Sequence, residues 1–159
     1  MKKTLALIGL LAALTLSTAT AQEACRVPAY KIVPPISITK VGKSANFQVI
    51  PAAAALKKVP GNVWYVVAGS YTTSPGFTFL GAQVPLAIDP MFEASLVYAN
   101  SSIFQNTYGL LDKNRRAKFQ INVPKIRQLR GLKVFFAAGI FEEQTKKFRV
   151  TNPVVLKVR

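Results

Sequence analysis

The chain has 159 residues, with 21 Lys and Arg against 6 Asp and Glu, a formal net charge of +15. It contains no histidine and one cysteine, which removes the commonest general base and metal ligand and prevents an internal disulfide. Half of the residues are apolar, as is typical of a folded domain. Composition therefore predicts a basic globular protein that is not an enzyme and holds no metal or cofactor.

Residues 1–21 have the pattern of a signal peptide. Lys2 and Lys3 precede an apolar run from Leu5 to Leu16, and Ala19-Thr20-Ala21 offers a small-residue cleavage site. The run is too short to cross a bilayer, which takes about 20 residues. We expect cleavage after Ala21 and export to the periplasm, the cell surface or the medium. Cleavage leaves 19 basic against 6 acidic residues, a net charge of +13.

Residues 22–36 are predicted to form an extended lead-in, because their prolines exclude a helix and Tyr30–Val33 suits an edge strand. Residues 37–159 are predicted to be a single β-sandwich domain, since a chain of this size suits one core. Cys25 is a candidate inter-chain thiol, because an odd cysteine in an exported protein can pair with another chain. A buried or inert thiol is the alternative. Anchoring as a lipoprotein is disfavoured, because Gln22-Glu23-Ala24 before Cys25 offers no aliphatic residue where a lipobox needs one.

Short apolar or alternating segments recur between turns rich in Gly, Pro and Asn. Ala52–Lys58 is predicted to be a loop or a single helical turn, and Ala82–Phe92 a connection. The pattern predicts an all-β fold, an antiparallel immunoglobulin-like β-sandwich of about 7–9 short strands. The predicted strands of this domain are Asn46–Val49, Val63–Ala68, Phe77–Leu80, Ala94–Tyr98, Ala117–Val123, Gly131–Phe141, Phe148–Val150 and Val154–Arg159.

Gly131–Phe141 is the most apolar segment after the signal peptide and is predicted to be the central strand. Alternate residues from Leu132 to Ile140 share one apolar face. The opposite face carries Phe135 and Phe141, which are core residues if another element covers them and an exposed binding ridge if none does. Trp64, the only tryptophan, is predicted to fill the core.

Five stretches carry a resemblance to a known type of protein. These are Trp64–Ser70, Pro85–Asp89, Phe119–Pro124, Gly131–Ala137 and Thr151–Val158. Their succession resembles small exported β-sandwich domains of unknown function from bacteria such as planctomycetes and myxobacteria. The resemblance covers roughly residues 44–159 and implies the fold and export. It implies no catalytic residue, and the strong positive charge departs from its usual neutral or acidic composition.

Basic residues are unevenly distributed. No Lys or Arg occurs from Val59 to Asp112, whereas 13 occur from Lys113 to Arg159. If strands 117–123 and 131–141 pair as a hairpin, the basic residues of their loop lie at one end of the sheet and Lys118 faces solvent. The basic residues that follow the central strand then lie at the other end. The candidate polyanion-binding residues are Lys113, Arg115, Arg116, Lys118, Lys125, Arg127, Arg130, Lys133, Lys146, Lys147 and Arg149.

A strongly basic exported surface attracts polyanions through salt-dependent forces. The leading hypothesis is therefore a protein that binds anionic envelope or extracellular polymer, namely acidic polysaccharide, lipid A or, non-specifically, DNA. The alternative is a structural subunit that assembles through open edge strands or through Cys25. A small outer-membrane β-barrel is a lesser alternative, against which the proline-broken strands argue. A solvated basic face without a ligand also remains open.

Overall fold

The computed structural model describes residues 29–52 and 60–159. The predictions for the signal peptide, for Cys25 and for most of Ala52–Lys58 lie outside these residues. The strands are β1 (Tyr30–Val33), β2 (Ile36–Thr39), β3 (Ser44–Pro51), β4 (Val63–Ser70), β5 (Phe77–Phe79), β6 (Ala82–Val84), β7 (Phe104–Gln105), β8 (Tyr108–Leu110), β9 (Ala117–Asn122), β10 (Lys133–Glu142), β11 (Lys147–Val150) and β12 (Val154–Val158); helix α1 is Pro90–Val97.

The described strands form two main sheets and one small hairpin. Sheet A has the order β1-β3-β9-β7, and sheet B has the order β2-β12-β10-β4-β8 with β11 also beside β10. β5 pairs with β6 in a separate hairpin. The mainly β prediction and the edge strand at Tyr30–Val33 are confirmed. The described residues hold twelve strands rather than 7–9, because β2, β6, β7 and β8 were not predicted. Each of them has only two to four residues, too few to show a clear alternation.

The prediction of a wholly antiparallel sandwich is wrong at one strand pair. β2 runs parallel to β12, with Ile36 opposite Val155 and Thr39 opposite Val158. Pro34 and Pro35 separate β1 from β2, and neither offers a backbone N–H to a ladder. The chain leaves sheet A at these prolines and enters sheet B at its edge.

The two sheets share one apolar core. Alternation along each strand sends one face inward, so Val63, Tyr65 and Val67 of β4 are buried in it. Phe47 of β3 stacks on Phe119 with ring centroids 5.2 Å apart. Phe47 also contacts Phe136 of β10, at 6.2 Å, and this second contact joins sheet A to sheet B. The central position of β10 is confirmed, since it lies between β4 and β12.

Helix α1 replaces the strand predicted at Ala94–Tyr98. Asp89 caps it, with Oδ1 accepting from the backbone N–H of Phe92 at 2.8 Å, and Pro90 follows at the first helical position. An aspartate cap followed by proline favours a helix start. This local signal outweighs the strand propensity of the apolar residues that follow.

A third, partial layer covers the outer face of sheet B. It consists of α1 and the β5–β6 hairpin, and its apolar residues form a second cluster with Ala68 and Ala137. Phe135 packs half-buried against this cluster. Trp64 is not in the core as predicted, because its neighbours Val63 and Tyr65 face inward and so direct Trp64 outward. It is half-buried and stacks on Tyr108 at 5.8 Å.

The predicted hairpin between residues 117–123 and 131–141 is wrong. β9 pairs with β3 and β7 in sheet A, whereas β10 belongs to sheet B. The segment between them crosses from one sheet to the other through a 3₁₀ turn at Arg127–Leu129. Both strands are apolar on the face that meets the other sheet, so they pack face to face instead of pairing edge to edge.

Candidate basic site

The crossing between β9 and β10 brings its charges beside the turn between β2 and β3. The backbone N–H of Gly42 donates to the carbonyl of Val123 at 2.9 Å. A side chain at Gly42, whose φ is +75°, would lie 3.3 Å from the Lys125 side chain. Lys43 and Lys125 therefore come from distant parts of the chain to neighbouring positions.

The end of β12 completes the same surface. The backbone N–H of Arg159 donates to the carbonyl of Thr39 at 2.8 Å, and that of Gly131 donates to the carbonyl of Val158 at 2.9 Å. These bonds bring together basic residues of the β2–β3 turn, the crossing, and the adjoining ends of β10 and β12. We call this set the basic pole; it consists of Lys40, Lys43, Lys125, Arg127, Arg130, Lys133, Lys157 and Arg159.

The charges of the basic pole are not neutralised within the described part of the chain. Seven of the eight residues are exposed and Lys157 is half-buried. None of them forms an ion pair with a carboxylate in residues 29–52 and 60–159. Lys133 and Lys157 are direct cross-strand partners, and like charges in that relation repel. The surface thus concentrates uncompensated positive charge.

Six of the candidate residues lie elsewhere, at the opposite end of the sandwich. Of these, Lys113, Arg116, Lys146 and Lys147 are exposed. Arg115 donates from Nη2 to the carbonyl of Gly61 at 2.9 Å, and Arg149 has an ion-pair partner. Lys118 lies apart from both ends, exposed on sheet A opposite Gln48. The structure therefore divides the predicted set and brings only Lys125, Arg127, Arg130 and Lys133 into the basic pole.

Glu142 explains the position of Arg149. Its side chain is 2% exposed, and Oε1 accepts from Nε of Arg149 at 2.7 Å, while Oε2 accepts from the Thr145 hydroxyl at 2.7 Å. Burial raises the pKa of Tyr30, and the Glu142 carboxylate raises it further against smaller effects of Arg115 and Arg149. This is a buried electrostatic cluster within the fold, so Arg149 neutralises a carboxylate of its own chain.

Sequence reasoning missed half of the basic pole. Lys40 and Lys43 precede the stretch without Lys or Arg, whereas Lys157 and Arg159 lie in the dense stretch but were not included in the candidate set. Only the backbone bonds of β2, β12 and the crossing bring them together. The available signal was the positive charge of the turn after β2 and of the last strand. Alternation of apolar and polar residues does not show that these two segments form one surface.

A second feature is an apolar groove on the outer face of sheet B, which the sequence analysis did not predict as a site. It has a volume of about 670 Å³ and lies between β4 and β10 on one side and the β5–β6 hairpin and α1 on the other. Phe141 lines it beside Trp64 and Phe148. Phe141 is half-buried, so it forms part of a concave surface instead of an exposed ridge.

Neither surface contains an obvious metal centre. Across residues 29–52 and 60–159, His, Cys, Asp and Glu side chains do not gather in any group of three or more that could hold an ion. In the same residues no helix is long and apolar enough to span a bilayer.

Comparison with known proteins assigns no family to the chain. No protein-family model matches it, and no curated protein matches it. Among solved structures, a chain from a structure on T cell specificity and activation by the bacterial superantigen toxic shock syndrome toxin-1 is similar, with a TM-score of 0.48 and 8% sequence identity. The match covers 83% of this chain and 99% of that chain. We draw no functional conclusion from so distant a similarity.

Proposed function

We propose that this protein is an exported, non-enzymatic, immunoglobulin-like domain that binds an anionic polymer of the cell envelope or its surroundings through the basic pole. The observation that carries the proposal is the convergence of eight basic side chains, none of which is paired with a carboxylate in the described residues. Acidic polysaccharide and lipid A phosphates suit such a surface. DNA binds it only through its phosphates, without sequence preference.

The strand order supports the immunoglobulin-like part of the proposal. If β1, β3, β4, β7, β9, β10 and β12 are labelled A to G in chain order, sheet A has the order A-B-E-D and sheet B contains G-F-C. That is the arrangement of a constant-type immunoglobulin domain. β2 and β8 extend sheet B at its two edges. The contact between Phe47 and Phe136 joins strands B and F, which a disulfide links in antibody domains.

The chemistry of the basic pole supports an anionic ligand. Arginine guanidinium groups such as those of Arg127, Arg130 and Arg159 bind carboxylates and phosphates with two parallel hydrogen bonds. Because seven of the eight cations are exposed, their attraction for a polymer is strong in dilute salt and is screened as the salt concentration rises. We therefore expect binding that salt weakens steeply.

Retention on immobilised polymers tests this function. The exported protein is applied to acidic polysaccharide and to DNA, and is eluted with a salt gradient. A pole variant carries Lys43, Lys125, Arg127 and Arg130 changed to Gln. A matched far-end variant carries Lys113, Arg116, Lys146 and Lys147 changed to Gln, which removes the same charge. We expect the pole variant alone to elute early from polysaccharide. Equal shifts for both variants would mean that only net charge matters.

A structural subunit is a second candidate, which one observation favours. β2 is an edge strand of sheet B and exposes Ile36 and Ile38, at 54% and 51%. An apolar open edge can pair with another chain. Sedimentation velocity over a wide concentration range tests this candidate, because assembly through β2 would be weakened by Ile38→Lys. A monomer at all concentrations would exclude it.

A further inference from the structure

The groove on the outer face of sheet B is distinct from the basic pole, and the proposed function does not use it. We propose that it binds the hydrocarbon chain of a single-chain amphiphile with an anionic head group. Its volume of about 670 Å³ lies within the range of small-molecule sites, roughly 300–1,000 Å³. A groove of this size with an almost wholly apolar lining suits a flexible alkyl chain.

The floor of the groove consists of outward-facing residues of sheet B. Trp64 and Val66 of β4 contribute from one strand, and Gly139 and Phe141 of β10 contribute from the next. The missing side chain at Gly139 leaves space that the Phe148 ring approaches, since a Cβ there would lie 2.6 Å from Phe148 Cζ. The floor therefore offers mainly aromatic and methyl surface to a ligand.

The walls of the groove carry apolar residues that face water. Leu80 is 61% exposed and Ile88 is 51% exposed, and both line the opening. Leu80 adopts a positive φ of +47° in the two-residue turn between β5 and β6. That conformation is unfavourable for a leucine, and strained residues of this kind concentrate at functional sites. An exposed, strained leucine at the mouth is explained if its side chain contacts a hydrocarbon ligand.

The charged residues of the lining suggest the sign of the head group. They are Lys146 and Glu143, both exposed in the turn between β10 and β11. These two charges balance each other, but the molecule around them carries a formal net charge of +15, so the mouth favours a carboxylate or phosphate head over a cationic one. Lys147 lies opposite Glu142 and faces away from the groove. Because Glu143 would repel an anionic head group, the experiment tests the sign of the head group directly.

Trp64 provides an intrinsic probe, because it is the only tryptophan of the chain and lines the groove. The exported protein is titrated with spin-labelled fatty acid below its micelle concentration, and quenching of Trp64 fluorescence is recorded. Unlabelled carboxylates of increasing chain length then compete. We expect saturable quenching, and a gain in affinity of up to about fourfold for each added methylene that the groove buries.

Two variants locate the ligand and one controls for surface charge. Ile88→Asp at the mouth and Leu80→Asn in the turn should each weaken binding about tenfold or more. Ile126→Asp adds the same charge at a residue that is similarly exposed, at 48%, but lies outside the groove, and should leave binding unchanged. Leu80→Asn suits the turn conformation, so it tests the site even if Ile88→Asp disturbs folding.

The head group is tested by exchanging the probe. Dodecanoate, dodecyl phosphate, dodecanol and dodecyltrimethylammonium compete against the same spin-labelled ligand, and the first two distinguish a fatty acid from a phosphorylated lipid. Lys146→Gln should weaken the anionic ligands several-fold and leave dodecanol unchanged. Four results would overturn the proposal: no saturable quenching, tighter binding of the cationic ligand, equal binding to the protein and to Ile88→Asp, or dissociation of a dimer by the ligand. In the last case a second copy of the chain would be the natural occupant of the groove.

Discussion

Lys133 and Lys157 lie directly opposite each other on β10 and β12, with no carboxylate paired to either in the described residues. Two like charges in this cross-strand relation reduce stability. The fold therefore keeps a small electrostatic cost at the surface where six further basic residues converge. The proposed binding of polyanions would give this cost a reason, because a bound anion would relieve the repulsion.

Changing Lys157 to Glu is expected to stabilise the free protein. It converts a repulsive cross-strand pair into an attractive one, which raises the free energy of unfolding by about 0.5–1 kcal/mol at low salt. Urea denaturation measures this change, and 1 M salt should remove most of it. The control is Lys118→Glu, since the cross-strand partner Gln48 carries no charge. A loss of stability in Lys157→Glu would show that the two ammonium groups do not repel each other.

The ion pair between Glu142 and Arg149 predicts an asymmetric pair of variants. Arg149→Met leaves a carboxylate that is 2% exposed without its cation, whereas Glu142→Gln leaves a guanidinium that is 33% exposed and can reach water. We expect Arg149→Met to cost about 3–5 kcal/mol and Glu142→Gln clearly less. A double-mutant cycle by denaturation measures the coupling. If the two single variants cost the same, burial of the carboxylate does not dominate.

The cap of helix α1 predicts a dependence of stability on pH. Partial burial of Asp89 opposes ionisation, but hydrogen bonds from Ser70 and from the backbone N–H groups of Phe92, Tyr71 and Met91 outweigh it and lower the pKa of this carboxyl. The folded state therefore holds Asp89 ionised more strongly than the unfolded chain does. The stability that this provides is full above the unfolded pKa, about 3.9, and is lost as the pH falls through the lower folded value.

Asp89→Asn tests this dependence, because asparagine is also a good cap but does not titrate. At pH 6 we expect the variant to be less stable by about 2 kcal/mol, since it loses charge-assisted bonds to Ser70 and Tyr71. The difference should shrink steadily as the pH is lowered below about 4. A difference that stays constant from pH 6 to pH 2 would rule out the ionised cap. Glu93→Gln, at an exposed position of the same helix, serves as the control.

Leu80→Asn is expected to stabilise the protein. Leu80 and Gly81 both have positive φ in the turn between β5 and β6, and Asn-Gly is the preferred pair in such turns. Relief of the strained leucine should raise the free energy of unfolding by about 1 kcal/mol. Leu80→Ala keeps the strain and should not stabilise. Thermal unfolding of both variants measures the effect, and equal behaviour of Asn and Ala would place its origin in the lost leucine side chain.

Alternation along the chain predicted most strands but could not say how they pair. β9 and the central strand β10 each show the pattern of a strand, and both are present. Their proposed hairpin failed, because a short connection can either return along the same sheet or cross to the facing one. That choice depends on whether the two apolar faces must meet, which only the assembled core decides. The same limit hid the parallel β2–β12 pair.

For residues with apolar neighbours on both sides, the sequence did not show which face of the sheet the side chain occupies. Val63-Trp64-Tyr65-Val66 is apolar throughout, so alternation does not reveal that Trp64 faces outward into the groove. Its direction depends on Val63 and Tyr65 facing inward toward sheet A. Helix α1 was missed for a different reason. Its Asp89-Pro90 start is a clear signal, but the apolar residues that follow suit a strand as well.

The sequence predicted that the candidate site is a basic surface, but it identified only some of the residues that form it. The uneven distribution of charge predicted a basic surface, and four predicted residues belong to the basic pole. Arg149 could not be separated from them by sequence, because its partner Glu142 looks like an ordinary hairpin residue until its burial is known. Lys40 and Arg159 could not be added, because they are brought together only by backbone bonds of Arg159 to Thr39 and Val41, the two neighbours of Lys40.

The salt dependence of polymer binding tests the central claim most directly. Affinity for a soluble acidic polysaccharide is measured at several salt concentrations for the unaltered protein, the pole variant and the far-end variant. If the basic pole is the site, the logarithm of the affinity falls steeply with the logarithm of the salt concentration. The pole variant should then lower that slope by about 3, one unit or slightly less for each lost contact, and the far-end variant by less than about 1. Equal slopes for the two variants would contradict the account.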